Sequence, residues 1–133
     1  MTELSGYANP TASIVHIGIC AEPTTVDEVI GIEMYLNFQI ADMKGRGAKL
    51  VVEFAQGVLI SKTLAVTRVL HIEQRYKLFI SYAQLNLAPG RHGVEHAKFT
   101  VSIRDTDRNK LLANVDDYCI DLALGTHILT KHA

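Results

Sequence analysis

Between positions 30 and 40 every second residue is apolar. Ile32, Met34, Leu36, Phe38 and Ile40 fall on one side of an extended chain, and Glu33, Tyr35, Asn37 and Gln39 on the other. A period of two sets one group against a core and the other toward water, which predicts a strand buried on one face. A polar stretch with Gly45 and Gly47 follows, then a second alternating run carrying Leu50, Val52 and Phe54. Two such runs joined by a glycine-bearing turn predict a hairpin.

The same rhythm continues. Residues 58–67 are rich in β-branched side chains, 69–72 read as extended, and 76–82 alternate Leu78, Ile80 and Tyr82 with Lys77, Phe79 and Ser81. Pro89 and Gly90 suit the two middle positions of a type II turn. Beyond them, Phe99, Val101 and Ile103 predict another strand, 105–109 a polar turn, and Tyr118, Ile120, Leu122 and Leu124 a last long strand ending at Gly125. Residues 14–19 supply a first strand. No stretch carries a helix longer than one turn: 82–87 reads as such a turn, and 25–30 as another capped by Thr24 or Thr25.

Seven or eight short strands with no helix predict an all-β fold, a two-sheet antiparallel sandwich of immunoglobulin-like or calcium-lipid-binding-domain-like topology. The expected core is Ile32, Met34, Leu36, Phe38, Leu50, Val52, Phe54, Leu78, Ile80, Phe99, Val101, Ile103, Tyr118, Ile120 and Leu122. Neither repeat nor linker divides residues 1–133, which read as one domain with a loose segment before Pro10.

Composition agrees. At 133 residues, 48% apolar and 20% charged, the chain can bury a core without a metal or disulfide staple. A net charge of −1, without runs of one sign, lacks the footprint of a nucleic-acid binder. With neither a basic-then-apolar leader nor an apolar run long enough for a bilayer, the expectation is a cytoplasmic protein without a membrane span. In that compartment Cys20 and Cys119 are expected as free thiols.

The stretch 37–47 (NFQIADMKGRG), followed by a strand and later by 78–82 (LFISY), Leu85 and 87–92 (LAPGRH), resembles a poorly characterised family of bacterial β-sandwich modules. The resemblance spans residues 30–105 as two blocks in the same order, with a shorter segment between Phe54 and Tyr76. It implies an accessory, interaction-type sandwich and carries no catalytic residues.

The motif closest to an active site is His92, Glu95 and His96 in the His-x-x-Glu-His order of one class of zinc peptidases. Those enzymes place it on a helix. Here it enters a strand, where four residues extend about 13 Å, whereas two ligands of one zinc lie within about 4 Å of each other. One strand cannot bring both histidines to one metal. Asp105 and Asp107, two apart in a turn, are the weak candidates for a metal, with Asp27, Asp42, Asp116 and Asp117 as further oxygens for a calcium ion. Turn capping explains that spacing without an ion. His16 lies four residues from Cys20 along a strand, too far to activate it, and Lys44, Arg46 and Lys49 read as a solvated face.

No cofactor and no catalysis are expected. The reading is a protein–protein interaction or assembly module that binds itself or another protein, with Ile14, Val15, Ile17, Tyr35 and Phe79 as contact residues and Tyr7 beside them. The alternative is a sandwich that binds a ligand, calcium or a membrane surface through its loops.

Overall fold

The computed structural model describes residues 9–87, 95–123 and 125–131. They form nine strands: β1 (Thr11–Ile19), β2 (Thr24–Val26), β3 (Val29–Ala41), β4 (Arg46–Phe54), β5 (Leu59–Val66), β6 (Leu70–Ser81), β7 (Glu95–Asp105), β8 (Lys110–Ala123) and β9 (Thr126–Lys131). Among the described residues there is no helix, and hence none long and apolar enough to cross a membrane. β1 and β2 pair with one side of β3 and β6 with the other, while the second sheet runs β5-β4-β7-β8-β9, all antiparallel. With β1, β3 and β6 in one layer and β5, β4, β7 and β8 in the other, the strand order is that of an immunoglobulin-like sandwich whose fourth main strand stays beside the third; β2 and β9 are additions.

β3 is the central strand of its sheet, and its alternation is kept in full. Ile32, Met34, Leu36, Phe38 and Ile40 are all buried, and across the layer they meet Leu50, Val52, Phe54, Ala97, Phe99, Val101, Ile103, Ile120 and Leu122 in one core. Every expected core residue is buried except Tyr118, which is half-buried and stacks on Phe99 with ring centroids 5.6 Å apart. The second sheet is held by inward pairs in register, Leu50 with Ile103, Val52 with Val101 and Phe54 with Phe99.

Four sequence expectations need correction. β3 and β4 do not form a hairpin: the chain crosses between layers at 42–45, where Asp42 and Gly45 take φ of 62° and 82° and Met43 is fully buried. Lying side by side, the two strands would need a separate cover for their shared apolar face; stacked, each covers the other. Residues 69–72 and 76–82 do not make two strands, because 70–81 run together as β6. The polar Glu73, Gln74 and Arg75 mark a bulge in it, at which Arg75 has φ 61° and donates its N–H to Asn37 Oδ1 at 2.7 Å. Residues 25–30 form the tip of the β2–β3 hairpin instead of a capped helical turn, with Asp27 and Glu28 both at positive φ as a type I′ loop demands. Finally, the strands do not end at Gly125 (φ 83°): the chain turns there into β9, which pairs with β8. The expected single turn at 82–87 is present and buries Leu85. Tyr7, Pro89, Gly90, His92 and Leu124 lie outside the described residues.

Gly31 is needed for packing. A Cβ there would stand 2.2 Å from the Ile80 carbonyl oxygen and 2.6 Å from Ser81 Cα, both backbone atoms. Gly31→Ala is therefore expected to destabilise by about 1–3 kcal/mol, as overpacking does, and Phe38→Ala or Phe54→Ala by about 3–5 kcal/mol through the cavity left behind. Urea unfolding of the three variants measures this; a parent-like midpoint for Gly31→Ala contradicts the close approach of β3 to β6.

Candidate functional site

The residues selected from sequence fall into different surroundings. On β1, Ile17 is buried and Ile14 packs on the core, while Val15 sits at a bulge and is 63% exposed. β1 thus turns Ile14 and Ile17 inward and offers Val15 alone of the three to a partner. Tyr35 and Phe79 are half-buried on the outer face of the smaller sheet. Asp105 is fully buried: its Oδ1 accepts the backbone N–H groups of Asp107 (3.0 Å) and Arg108 (3.2 Å), and its Oδ2 lies 3.7 Å from Arg46 Nη1. Asp107 Oδ2 accepts from Gly47 N at 3.3 Å. Both carboxylates brace the turn and its neighbour β4, and neither joins a cluster of three metal-ligating side chains among the described residues.

Cys20 and Cys119 are free thiols, and each anchors a polar cluster that sequence reasoning missed. On the outer face of the smaller sheet, Cys20 Sγ donates to Glu33 Oε2 at 3.0 Å and lies 3.2 Å from Tyr35 Oη, which also donates to Glu33; Lys77 Nζ is 3.6 Å from the other carboxylate oxygen. Hydrogen bonds from Tyr35 and then Cys20, with Lys77 nearby, hold the Glu33 carboxyl below its ordinary range against the opposing effect of burial. The hydrogen bond of Tyr35 with Cys20, and then its bond to Glu33, push the Tyr35 phenol up. Alternation places Glu33 and Tyr35 on one face; the arrival of Cys20 from the β1 end required the β1–β3 register.

His127, on β9, is buried and clamps the two layers together. Its Nδ1 lies 3.1 Å from the Cys20 carbonyl oxygen and its Nε2 2.6 Å from Tyr82 Oη, and its backbone N–H donates to Ala21 O at 2.6 Å. A carbonyl only accepts, so Nδ1 carries the proton and the bare Nε2 accepts from Tyr82. Burial pushes the His127 pKa down, opposed by the Cys20 carbonyl, and pushes the Tyr82 phenol up.

The third cluster lies on the outer face of the larger sheet. His96 on β7 stands directly opposite Asp121 on β8, and Cys119, two residues before Asp121, shares its face. His96 Nδ1 is 2.6 Å from Asp121 Oδ1; Cys119 Sγ is 3.4 Å from that oxygen and 4.0 Å from Nδ1. Burial, and then the Asp121 carboxylate, push the Cys119 thiol up, while Lys98 acts in the opposite sense. The reading of His96 as half of a pair with His92 missed these partners, which are distant in sequence. A hairpin closed at Asp105 and Lys110 would set His96 opposite Cys119; two bulges between β7 and β8 shift the register by two and bring Asp121 there instead. Cys-x-Asp on one strand facing a histidine on the next was the available signal.

Compared with known proteins, the chain matches no family model, no curated protein and no solved structure at a significant level.

The buried neutral His127 and the bonded Glu33 give two separate pH windows. Below the ordinary histidine value of 6.5 the unfolded chain binds more protons than the folded one, so stability rises with pH there and is lost as pH falls through the depressed folded value. Glu33 contributes stability above the ordinary 4.5, lost as pH falls further. Thermal melts across this range should show His127→Gln flattening the upper slope and Glu33→Gln the lower; an unchanged upper slope in His127→Gln would contradict the neutral clamp.

Proposed function

We propose that the chain is a non-catalytic assembly module in which the β2–β3 hairpin tip of one copy docks on the start of β6 of the next. The tip carries the argument. Residues 25–30 are all exposed, and three of the six are Val26, Val29 and Ile30, held by a tight two-residue loop. An apolar surface on an ordered, exposed hairpin is a low-entropy docking element.

The complementary patch is Val69, Leu70 and Ile72, all more than 45% exposed, beside the edge of β6 that pairs with no strand among the described residues. Val26 pairs with Val29 at one end of β3, and Leu70 with Ala41 at the other, so about 40 Å of strand separates the two patches. Because the two patches are different surfaces at opposite ends, a copy that docks on the next can leave its own second patch open for a third. The opposite edge is less available, because the segment after β1 is tied to β9 near Ala21 and His127. A net charge of −1 sets no strong repulsion between copies. The likeness of 37–47 and 78–92 to accessory bacterial modules points the same way.

Sedimentation velocity tests this with two variants, Val26→Lys/Ile30→Glu and Leu70→Lys/Ile72→Glu, all four positions being exposed. The parent should form concentration-dependent oligomers, each variant alone should be monomeric, and an equal mixture should stop at a dimer, since each retains one intact end. A monomeric parent at high micromolar concentration removes self-assembly, and a mixture that stays monomeric removes the head-to-tail contact.

A further inference from the structure

We propose that His96, Cys119 and Asp121 form a binding site for one divalent transition-metal ion of the zinc class on the outer face of the larger sheet. One nitrogen, one sulfur and one oxygen donor lie within 4.8 Å of one another. A tetrahedral zinc with bonds of about 2.0–2.3 Å holds nitrogen and oxygen ligands about 3.4 Å apart and a sulfur about 3.6 Å from each. The separations from Cys119 Sγ, 3.4 Å to Asp121 and 4.0 Å to His96, are within a few tenths of an ångström of that requirement. Only the imidazole and the carboxylate, now hydrogen-bonded at 2.6 Å, must part, by roughly 0.8 Å on the same bond lengths. The His96 side chain is 59% exposed and has room to swing outward.

A surface imidazole–carboxylate pair and a buried thiol each have ordinary explanations when taken singly. Their convergence argues for a ligand. Cys119 is buried, Asp121 half-buried and His96 exposed, so the donors form a cup with the softest at its floor. The cup stands on two neighbouring strands of a five-stranded sheet, a scaffold that fixes two of the three donors by register. Mixed nitrogen, sulfur and oxygen donors suit zinc; calcium and magnesium require more ligands, all oxygen. Lys98, opposite Cys119 across the ladder, brings a positive charge that opposes a cation at the site. Three protein ligands leave a fourth position on the solvent side for water, a small anion or a side chain of another molecule.

The test is titration of the reduced, chelator-stripped full chain with Co²⁺, followed by displacement with Zn²⁺. One equivalent should bind with a thiolate-to-cobalt charge-transfer band, and one equivalent of zinc should abolish it. Cys119→Ser should remove the band, His96→Ala should weaken zinc binding by at least about tenfold, and Cys20→Ser should change neither. Zinc should raise the melting temperature of the parent and not of His96→Ala. The proposal is overturned by a parent that binds no single equivalent, by a band that survives Cys119→Ser or is lost in Cys20→Ser, or by parent-like affinity in His96→Ala. The last holds even if Cys119→Ser fails to fold, because position 96 is exposed.

Discussion

The strict alternation of β3, whose five inward side chains from Ile32 to Ile40 are fully or almost fully buried, is the constraint on which the rest of the sandwich depends. In an antiparallel sandwich a strand offers one face to the core, so a strand with so apolar a face must be covered by a second layer. The crossing at 42–45 supplies that layer from the next residues in the chain. Met43 fills its interior, and backbone bonds from Asp42 N to Val69 O and from Gly45 N to Val66 O tie it to the return crossing between β5 and β6. The two crossings brace each other at one end of the molecule. At the other end, Gly31 lets β3 approach Ile80 and Ser81.

This alternation is legible in sequence wherever strands are buried on one face and regular, as in β3, β4 and β7. What sequence cannot show is which neighbour each strand chooses. Alternation looks the same whether β4 lies beside β3 or over it, and the turn at 42–47, with its glycines, suits either arrangement. β9 leaves little signal because a six-residue strand with exposed Ile128 and buried His127 has no clean apolar face. The 25–30 segment is ambiguous because Asp27 and Glu28 suit the first turn of a helix as readily as they fill a two-residue loop. The polar clusters are hidden for a related reason. Their members meet across strands, and each bulge moves the partner by one residue.

Once the inward faces are committed to the core, chemistry is confined to the outer faces and to the rim, and the two cysteines illustrate the division. Both lie in apolar strand-like runs, yet Cys20 leaves its strand and meets Glu33 and Tyr35, while Cys119 packs between β7 and β9 beside Asp121 and His96. Neither has a thiol partner, so each sulfur is left to hydrogen-bond or to ligate. Asp105 is the counter-example: a carboxylate on an inward position stays buried because the turn's own N–H groups hold one oxygen and Arg46 stands near the other.

β8 and β9 connect these features mechanically. Asp121 pairs with Ile128 and Leu122 with His127, so the residue that clamps the layers is one position removed from the strand partner of a proposed metal ligand. His127 in turn bonds the Cys20 carbonyl, and Cys20 donates its thiol to Glu33 on β3. A continuous path of side-chain and ladder contacts therefore runs from the outer face of one sheet, through β9, to the outer face of the other. An ion holding Asp121 would stiffen the β8–β9 pair on which the His127 clamp depends, and β2, which leads into the docking tip, begins at Thr24, shortly after the Cys20 that this clamp grips. The short strand that the sequence pattern conceals is thus the one through which the His127 clamp and the Asp121 ladder meet.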